Sequence, residues 1–343
     1  MSNHSSKKTI IAVAILFFLV LVSLILGFGL FFLSPYERNA PEQFITVREG
    51  LGLRAVAIEL EERNIISSKS LFMIWGKIMG YSRKIKAGEY RLGSDMAPMR
   101  ILEILTRGEI ITHPVTIPEG YSNKQIAEIL EQKGMADKRQ FLALASNRDL
   151  ILKYGFRSSS LEGFLYPDTY QFGKGLSAES IIDAMVNRFK TVVAPFEHRL
   201  RELEMTVEEV VTLASIVEKE TGRADERALI AGVFLNRLKK NMRLESDPTV
   251  IYGIENFNGN LTRKDLEVPT PYNTYIIRGL PPGPIANPGI EAIKAVLYPA
   301  EIDYFYFVSK NDGSHYFSSS LREHINAVNR YQRSRRKESD RTS

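Results

Sequence analysis

No charged residue occurs from Thr9 to Leu33, a run of 25 residues made mostly of Ile, Leu, Val and Phe. As a helix rising about 1.5 Å per residue it would span about 37 Å, more than the ~30 Å hydrocarbon layer of a bilayer. Apolar residues fill every face, unlike a core helix with one buried stripe. The run also exceeds a signal-peptide core and passes into Ser34-Pro35 without a small-x-small cut site. The pattern predicts a single transmembrane helix over 9–33. Lys7 and Lys8 precede it, so the tail 1–8 belongs in the cytoplasm and the remainder on the other side.

Beyond the span, hydrophobic and polar positions alternate in blocks that repeat. Thr46-Val-Arg-Glu-Gly50 matches Thr116-Ile-Pro-Glu-Gly120 at an offset of 70. Glu89-Tyr-Arg-Leu-Gly93 corresponds to Thr169-Tyr-Gln-Phe-Gly173 at an offset of 80. Each copy predicts a strand, a tight Glu-Gly turn and an amphipathic helix, then a second strand and helix. The first helices should end at Asn64 and Gly134. After about residue 195 a long helix gives way to loops rich in Pro, Gly, Asn and Tyr, of the kind that build cleft walls. Tyr304–Val308 and His315–Phe317 predict a hairpin turning at Asn311-Asp-Gly313, followed by a helix over 319–332. The fold class expected is α+β, with a basic tail at 333–343.

Composition narrows the chemistry. Lys+Arg 45 against Asp+Glu 40 leaves +5, too small an excess and too short a basic run for a nucleic-acid binder. Zero Cys excludes disulfides, thiolate metal sites and a Cys nucleophile. Five His without H-E-x-x-H argue against a zinc hydrolase, and no G-x-S-x-G elbow or Gly-rich phosphate loop is present. No cofactor is implied.

One carboxylate stands out. The helix Thr206–Thr221 opens with Thr206 and Glu209 at capping-box spacing, and Gly222 can close it. At 100° per residue from Val207, Val211 falls at about 40°, Ala214 at about 340° and Glu218 at about 20°, inside the apolar stripe. Glu220 falls at about 220° and reads as a solvated charge. A desolvated carboxyl at a helix C-terminus would hold its proton near neutral pH, as a general acid must. The alternative is a structural ion pair with Arg223, Arg237 or Arg243. Downstream hydroxyls, amides and Tyr rings suit a carbohydrate groove, whose ligands offer many hydroxyls and an apolar ring face.

Five motifs in order carry a resemblance. They are Leu161-Glu-Gly-Phe-Leu-Tyr-Pro-Asp-Thr-Tyr170, Ala214-Ser-Ile-Val-Glu-Lys-Glu-Thr221, Ser246-Asp-Pro-Thr-Val250, Tyr272-Asn-Thr-Tyr275 and Gly279-Leu-Pro-Pro-Gly-Pro-Ile. With them the chain resembles the YceG-like family of endolytic murein transglycosylases (MltG), from the anchor to about residue 330. The resemblance implies an inner-membrane protein with a LysM-like module, 43–115, and a periplasmic catalytic domain, 116–332, that begins with the second repeat, 116–193. It implies cleavage of MurNAc-β-1,4-GlcNAc bonds within peptidoglycan strands to 1,6-anhydro-MurNAc ends. It also implies a role in terminating nascent strands, with peptidoglycan synthases as partners.

The family's catalytic Glu falls on Glu218. Tyr170, Ser246, Asp247, Thr249, Asn273, Thr274 and Tyr275 are the expected substrate-binding residues. Asp168 or Asp247 is a candidate to assist, by hydrogen bonding or by stabilising an oxocarbenium-like state. Two other readings stay open: a non-catalytic peptidoglycan-binding scaffold, and a hydrolytic muramidase that would need a second carboxylate to activate water.

Overall fold

The computed structural model describes residues 3–37 and 41–333. The first element, α1 (Asn3–Leu33), contains a 24-residue segment, Ile10–Leu33, with a mean hydropathy of 3.2. By length and composition it can cross a membrane. The chain then divides into two compact units, Met1–Pro114 with Gln171–Ser177, and Val115–Tyr170 with Ala178–Ser343.

In the first unit β1 (Gln43–Val47) leads into α2 (Leu53–Glu62) and α3 (Lys69–Ile78), then β2 (Gly88–Leu92) and α4 (Pro98–Arg107). β1 and β2 pair antiparallel, with Ile45 opposite Tyr90. Ile45, Leu60, Phe72, Tyr90, Leu92, Ile101 and Leu105 form the core beneath this ribbon, and Phe32 at the end of α1 is buried among them. Asn64 takes a left-handed φ of 58° just past α2, as the sequence pattern requires of a helix stop. The repeat unit is longer than the pattern indicates, because α3 intervenes between the first helix and the second strand. Its apolar residues fall on two faces instead of one stripe, a pattern that helical periodicity does not single out.

The chain continues through β3 (His113–Thr116), α5 (Asn123–Gln132), α6 (Lys138–Ala145), α7 (Arg148–Lys153), β4 (Thr169–Phe172) and α8 (Ala178–Val193). β3 pairs with β4. Gly134 stops α5 with φ 64°. Next come α9 (Glu197–Glu202), α10 (Val207–Glu220), α11 (Ala224–Lys239), α12 (Asp247–Tyr252) and α13 (Ile290–Leu297). The hairpin β5 (Tyr306–Ser309) and β6 (His315–Ser318) pairs antiparallel, and α14 (Leu321–Val328) follows, ending in a turn of π-helix. That helix is shorter than the pattern indicates. The tail from 334 lies outside the described residues.

Within the second unit α10, α11 and α13 pack on one another. Every residue of α10 from Val210 to Val217 is buried. A helix buried on all sides keeps its polar members only by hydrogen bonding them. Thr212 therefore donates to Glu208 O at 2.7 Å and Ser215 to Thr212 O at 2.7 Å. Ser215 Oγ also accepts the Ile285 N–H at 3.0 Å, which pins the Pro-rich loop onto α10.

Candidate active site

α10 opens as its sequence dictates. Thr206 Oγ1 accepts the Glu209 N–H at 3.2 Å, and Glu209 Oε2 accepts the Thr206 N–H at 2.8 Å, a complete capping box. Its other end differs from expectation. Thr221 leaves the helix in an extended conformation, so Gly222 is not needed to terminate it with a left-handed turn.

Glu218 is on the last turn, its side chain only 8% exposed. Its Oε2 accepts the N–H of Gly289, the residue that precedes α13, at 3.1 Å. Arg227 Nη2 from α11 lies 3.6 Å from Oε1. The ion-pair partner is thus Arg227 rather than any of the three arginines the sequence suggested. Arg223 pairs with Asp225 at 2.7 Å, and Arg237 binds Phe305 O, Leu244 O and Glu245. At 3.6 Å the Arg227 contact is a loose pair, not a bidentate fork. Arg227 Nε has no hydrogen-bond partner among the described residues.

A second carboxyl, Glu119, shares this corner. It belongs to the Thr116-Ile-Pro-Glu-Gly120 turn, where it read only as part of a repeat. A Cβ placed on Gly289 would lie 1.9 Å from Glu119 Oε1, so a side chain there would have to push the Glu119 carboxyl aside. Partial burial of the Glu119 carboxyl and the neighbouring Glu218 charge raise it above the usual carboxylate range, with Arg227 acting in the opposite direction. Gly120, with φ 73°, lies against the stem of Glu218: a Cβ there would be 3.4 Å from Glu218 Cγ.

Gly120 also lines a cleft of about 890 Å³, together with Asn123, Gln125, Glu162, Lys219 and Tyr252. Glu162, from the Leu161–Tyr170 motif, is buried in its wall. Its carboxylate accepts the Asn123 N–H at 2.9 Å, Asn287 Nδ2 at 3.2 Å and Tyr252 Oη at 3.2 Å. Burial nevertheless pushes it up to about 7. Asn287 ties the wall together, its Oδ1 accepting the Leu165 N–H and its Nδ2 donating to Tyr121 O, both at 2.9 Å. Sequence periodicity could not find Glu162, because it lies in an irregular loop.

Glu220 overturns an expectation. Its helical angle reads as solvated, but the Leu244–Thr249 stretch covers that face, and Ser246 Oγ donates to its carboxylate. Burial, aided by the negative Asp247, pushes Glu220 up to about 7, against the opposing pulls of the Ser246 hydrogen bond and Arg237.

Six of the expected binding residues meet in one network behind Glu220. Ser246 N–H donates to Thr274 Oγ1 at 3.0 Å, and the hydroxyls of Thr249 and Thr274 are 2.8 Å apart. Asn273 Nδ2 caps Leu266 O and Val268 O at 3.0 and 2.8 Å, and its Oδ1 accepts the Tyr275 N–H at 2.9 Å. Tyr275 Oη donates to Asp247 Oδ1 at 2.6 Å. Ser246, Thr249, Asn273 and Thr274 are buried and spend their polar groups on neighbouring protein groups, whereas Asp247 is exposed and Tyr275 half-buried. Tyr170 stands apart from them, its hydroxyl donating to Tyr166 O at 2.5 Å. Asp168 is held by Arg188 Nε at 2.7 Å.

The YceG-like family model matches residues 45–330. The chain belongs to the YceG-like family. Among its relatives is the endolytic murein transglycosylase of Bacillus subtilis, 34% identical over 89% of this chain and 89% of that protein. The endolytic murein transglycosylase of Streptococcus pneumoniae D39 is 30% identical over 85% of this chain, which spans 59% of that longer protein. A crystal structure of a putative yceG-like protein from Listeria monocytogenes matches with a TM-score of 0.58 and 35% identity, covering 84% of this chain and 99% of that one. The YceG-like segment thus contains both the Glu119–Glu218–Arg227 corner and the adjoining cleft.

Proposed function

We propose that this YceG-like protein is a membrane-anchored endolytic peptidoglycan lytic transglycosylase, cleaving MurNAc-β-1,4-GlcNAc bonds within glycan strands. The observation that carries the reading is Glu218: a largely buried carboxyl at the edge of a wide cleft, loosely paired and held by one backbone N–H. The names of the relatives in Bacillus and Streptococcus agree with it.

Glu218 serves as both acid and base. It protonates the glycosidic oxygen as the C1–O bond breaks. As a carboxylate it then accepts the proton of the sugar's own C6 hydroxyl while O6 bonds to C1, giving the 1,6-anhydro ring. The attacking hydroxyl is intramolecular, so no second carboxylate is required to activate water. Arg227 and the Gly289 N–H orient Glu218 and stabilise its anionic form. Tyr252 gives the cleft wall an aromatic face, suited to the apolar side of a sugar ring. Asp247 and Tyr275 are accessible enough to meet substrate, while Ser246, Thr249, Asn273 and Thr274 act by fixing the loop that covers α10.

In this reading α1 is the anchor, with residues 1–8 cytoplasmic and the rest periplasmic. Residues 43–115 form a LysM-like glycan-gripping module, 116–332 the catalytic domain. Tethering raises the concentration of active sites near newly made strands, where synthases work.

The test is mass spectrometry of glycan strands digested by the full chain and by its Glu218→Gln variant. Internal fragments with anhydro-MurNAc ends, lost in the variant, support the reading. Fragments heavier by one water would make the protein a muramidase. Binding without cleavage by either protein would make it a scaffold.

A further inference from the structure

The first unit carries a feature that the catalytic chemistry does not use. Helix α3 is apolar on two faces. At 100° steps from Leu71, Phe72 and Gly76 fall at about 100° and 140°, and Ile74, Trp75 and Ile78 at about 300°, 40° and 340°. The first pair is buried, and a Cβ on Gly76 would lie 2.6 Å from Leu53 Cδ2 of α2, so this side is closely packed. On the other side Ile74 is 47% exposed and Ile78 65%, with Met79 exposed just beyond. Isolated apolar side chains are common on surfaces, but a helix face of them beside an apolar span is not.

Two observations say what covers this face. The first is its contact with α1. Trp75 stacks on Phe32 with ring centroids 4.8 Å apart and meets Phe28 edge-on at 5.6 Å. Leu71 shares an apolar groove of about 510 Å³ with Ser23, Leu24, Ile25, Gly27 and Phe28. Leu24 is nine residues before the end of the apolar span, about 13 Å along the helix axis. If α1 crosses a bilayer, whatever lies beside Leu24–Phe28 is at acyl-chain depth, and α3 lies at the boundary above it. The second observation is charge. From Lys69 to Lys86 the chain holds Lys69, Lys77, Arg83, Lys84 and Lys86 and no acidic residue. Lys77, Arg83 and Lys84 form no ion pair among the described residues. Apolar side chains flanked by unpaired cations are the composition of a helix that lies in the lipid interface.

We infer that α3 and the basic segment after it form a second membrane contact, lying in the headgroup region of an anionic lipid surface with Ile74, Ile78 and Met79 facing the acyl chains. The inference rests on the anchor reading of α1 and is independent of the chemistry at Glu218. Its consequence is orientational. A single span leaves an attached unit free to swing, whereas a span with a helix beside it in the interface holds the first unit at a set angle on the membrane.

The chain's lack of Cys allows single-site labelling of the full-length protein. An environment-sensitive fluorophore is attached through Ile78→Cys or, separately, Leu19→Cys, both exposed positions. Each labelled protein is reconstituted into vesicles of phosphatidylcholine alone or mixed with phosphatidylglycerol, containing lipids with a nitroxide either near the headgroup or at the acyl end. The Leu19 label should be quenched by the deep nitroxide, which reports the span itself. The Ile78 label should be quenched severalfold more by the shallow nitroxide than by the deep one. Reversing Lys77, Arg83 and Lys84 to Glu should at least halve that shallow quenching in phosphatidylglycerol vesicles and leave the Leu19 signal unchanged, since each cation at an anionic surface favours contact by about fivefold.

Deep quenching at Leu19 with none at Ile78 would leave the anchor standing and overturn the interfacial helix. A blue-shifted but unquenched Ile78 label would mean that a protein surface, such as a second copy, covers the face, and would also overturn it. Absence of deep quenching at Leu19 would refute the anchor and this inference together.

Discussion

Glu220→Gln tests the part of the site where helical geometry and tertiary structure disagree. Gln keeps the shape and can still accept the Ser246 hydroxyl through its amide oxygen, but it cannot ionise. Burial raises the wild-type carboxyl from 4.5 to about 7. The folded state therefore holds a proton between those values that the unfolded state has released. Stability from that proton is fully present below the unfolded value and is lost as pH rises through about 7. A shift of this size corresponds to about 3 kcal/mol at pH 8 and less than about 1 kcal/mol at pH 5. The variant should thus be more stable than wild type at pH 8 by about 3 kcal/mol, with the gap nearly closed at pH 5. Trp75 belongs to the other unit, so its fluorescence does not report this event. Hydrogen exchange of peptides covering 207–220, measured along a urea series at each pH in the full chain, does. Parallel pH dependences in the two proteins would refute the reasoning and return Glu220 to the solvated role that its helical angle indicates.

Other expectations follow from the same geometry. Glu218→Gln should lower the rate of anhydro-MurNAc formation by about 10²–10⁴-fold, the usual contribution of a positioned acid–base group, with the exchange protection of α10 retained. Gly289→Ala places a methyl group where the Glu119 carboxylate lies and so drives that carboxylate from its place beside Glu218; turnover should fall while binding to isolated glycan strands changes little. Glu218→Gln removes a negative neighbour of Glu119, so the Glu119 carboxyl should titrate lower in that variant than in wild type, as read by side-chain carboxyl NMR; an unchanged titration would deny the coupling between the two. Glu162→Gln should reduce the loss of stability between pH 5 and 8 in the way Glu220→Gln does, because its carboxyl is also pushed up to about 7 by burial.

Several features could be read directly from local sequence, for local reasons. The capping box of Thr206 and Glu209 joins groups three residues apart, and the helix stops at Asn64 and Gly134 need only one residue's tolerance of positive φ. The hairpin at 306–318 turns on Asn311 and Gly313, both with positive φ. Glu218 was legible because its neighbours on the apolar stripe belong to the same helix. Arg227, Glu119 and Glu162 were not, since what brings them to the site is packing between segments far apart in the chain. Glu119 read as a turn residue and Glu162 as part of a motif, and neither sits in a periodic element that would mark it as inward-facing.

The amino-acid sequence by itself determined the apolar span, the paired strand–helix units, the family and the position of one inward carboxylate, all of which rest on contacts within a few residues or on motif order. Tertiary structure decided which charges are buried. Ser246 and its loop cover the outward face of α10 from 26 residues away and leave Glu220 half-buried and hydrogen-bonded instead of solvated. Gly289, 71 residues beyond Glu218, supplies the N–H that holds it, and Arg227 reaches it from the next helix. Burial depends on what arrives from elsewhere in the chain, and helical periodicity records only which side of a helix is free to receive it.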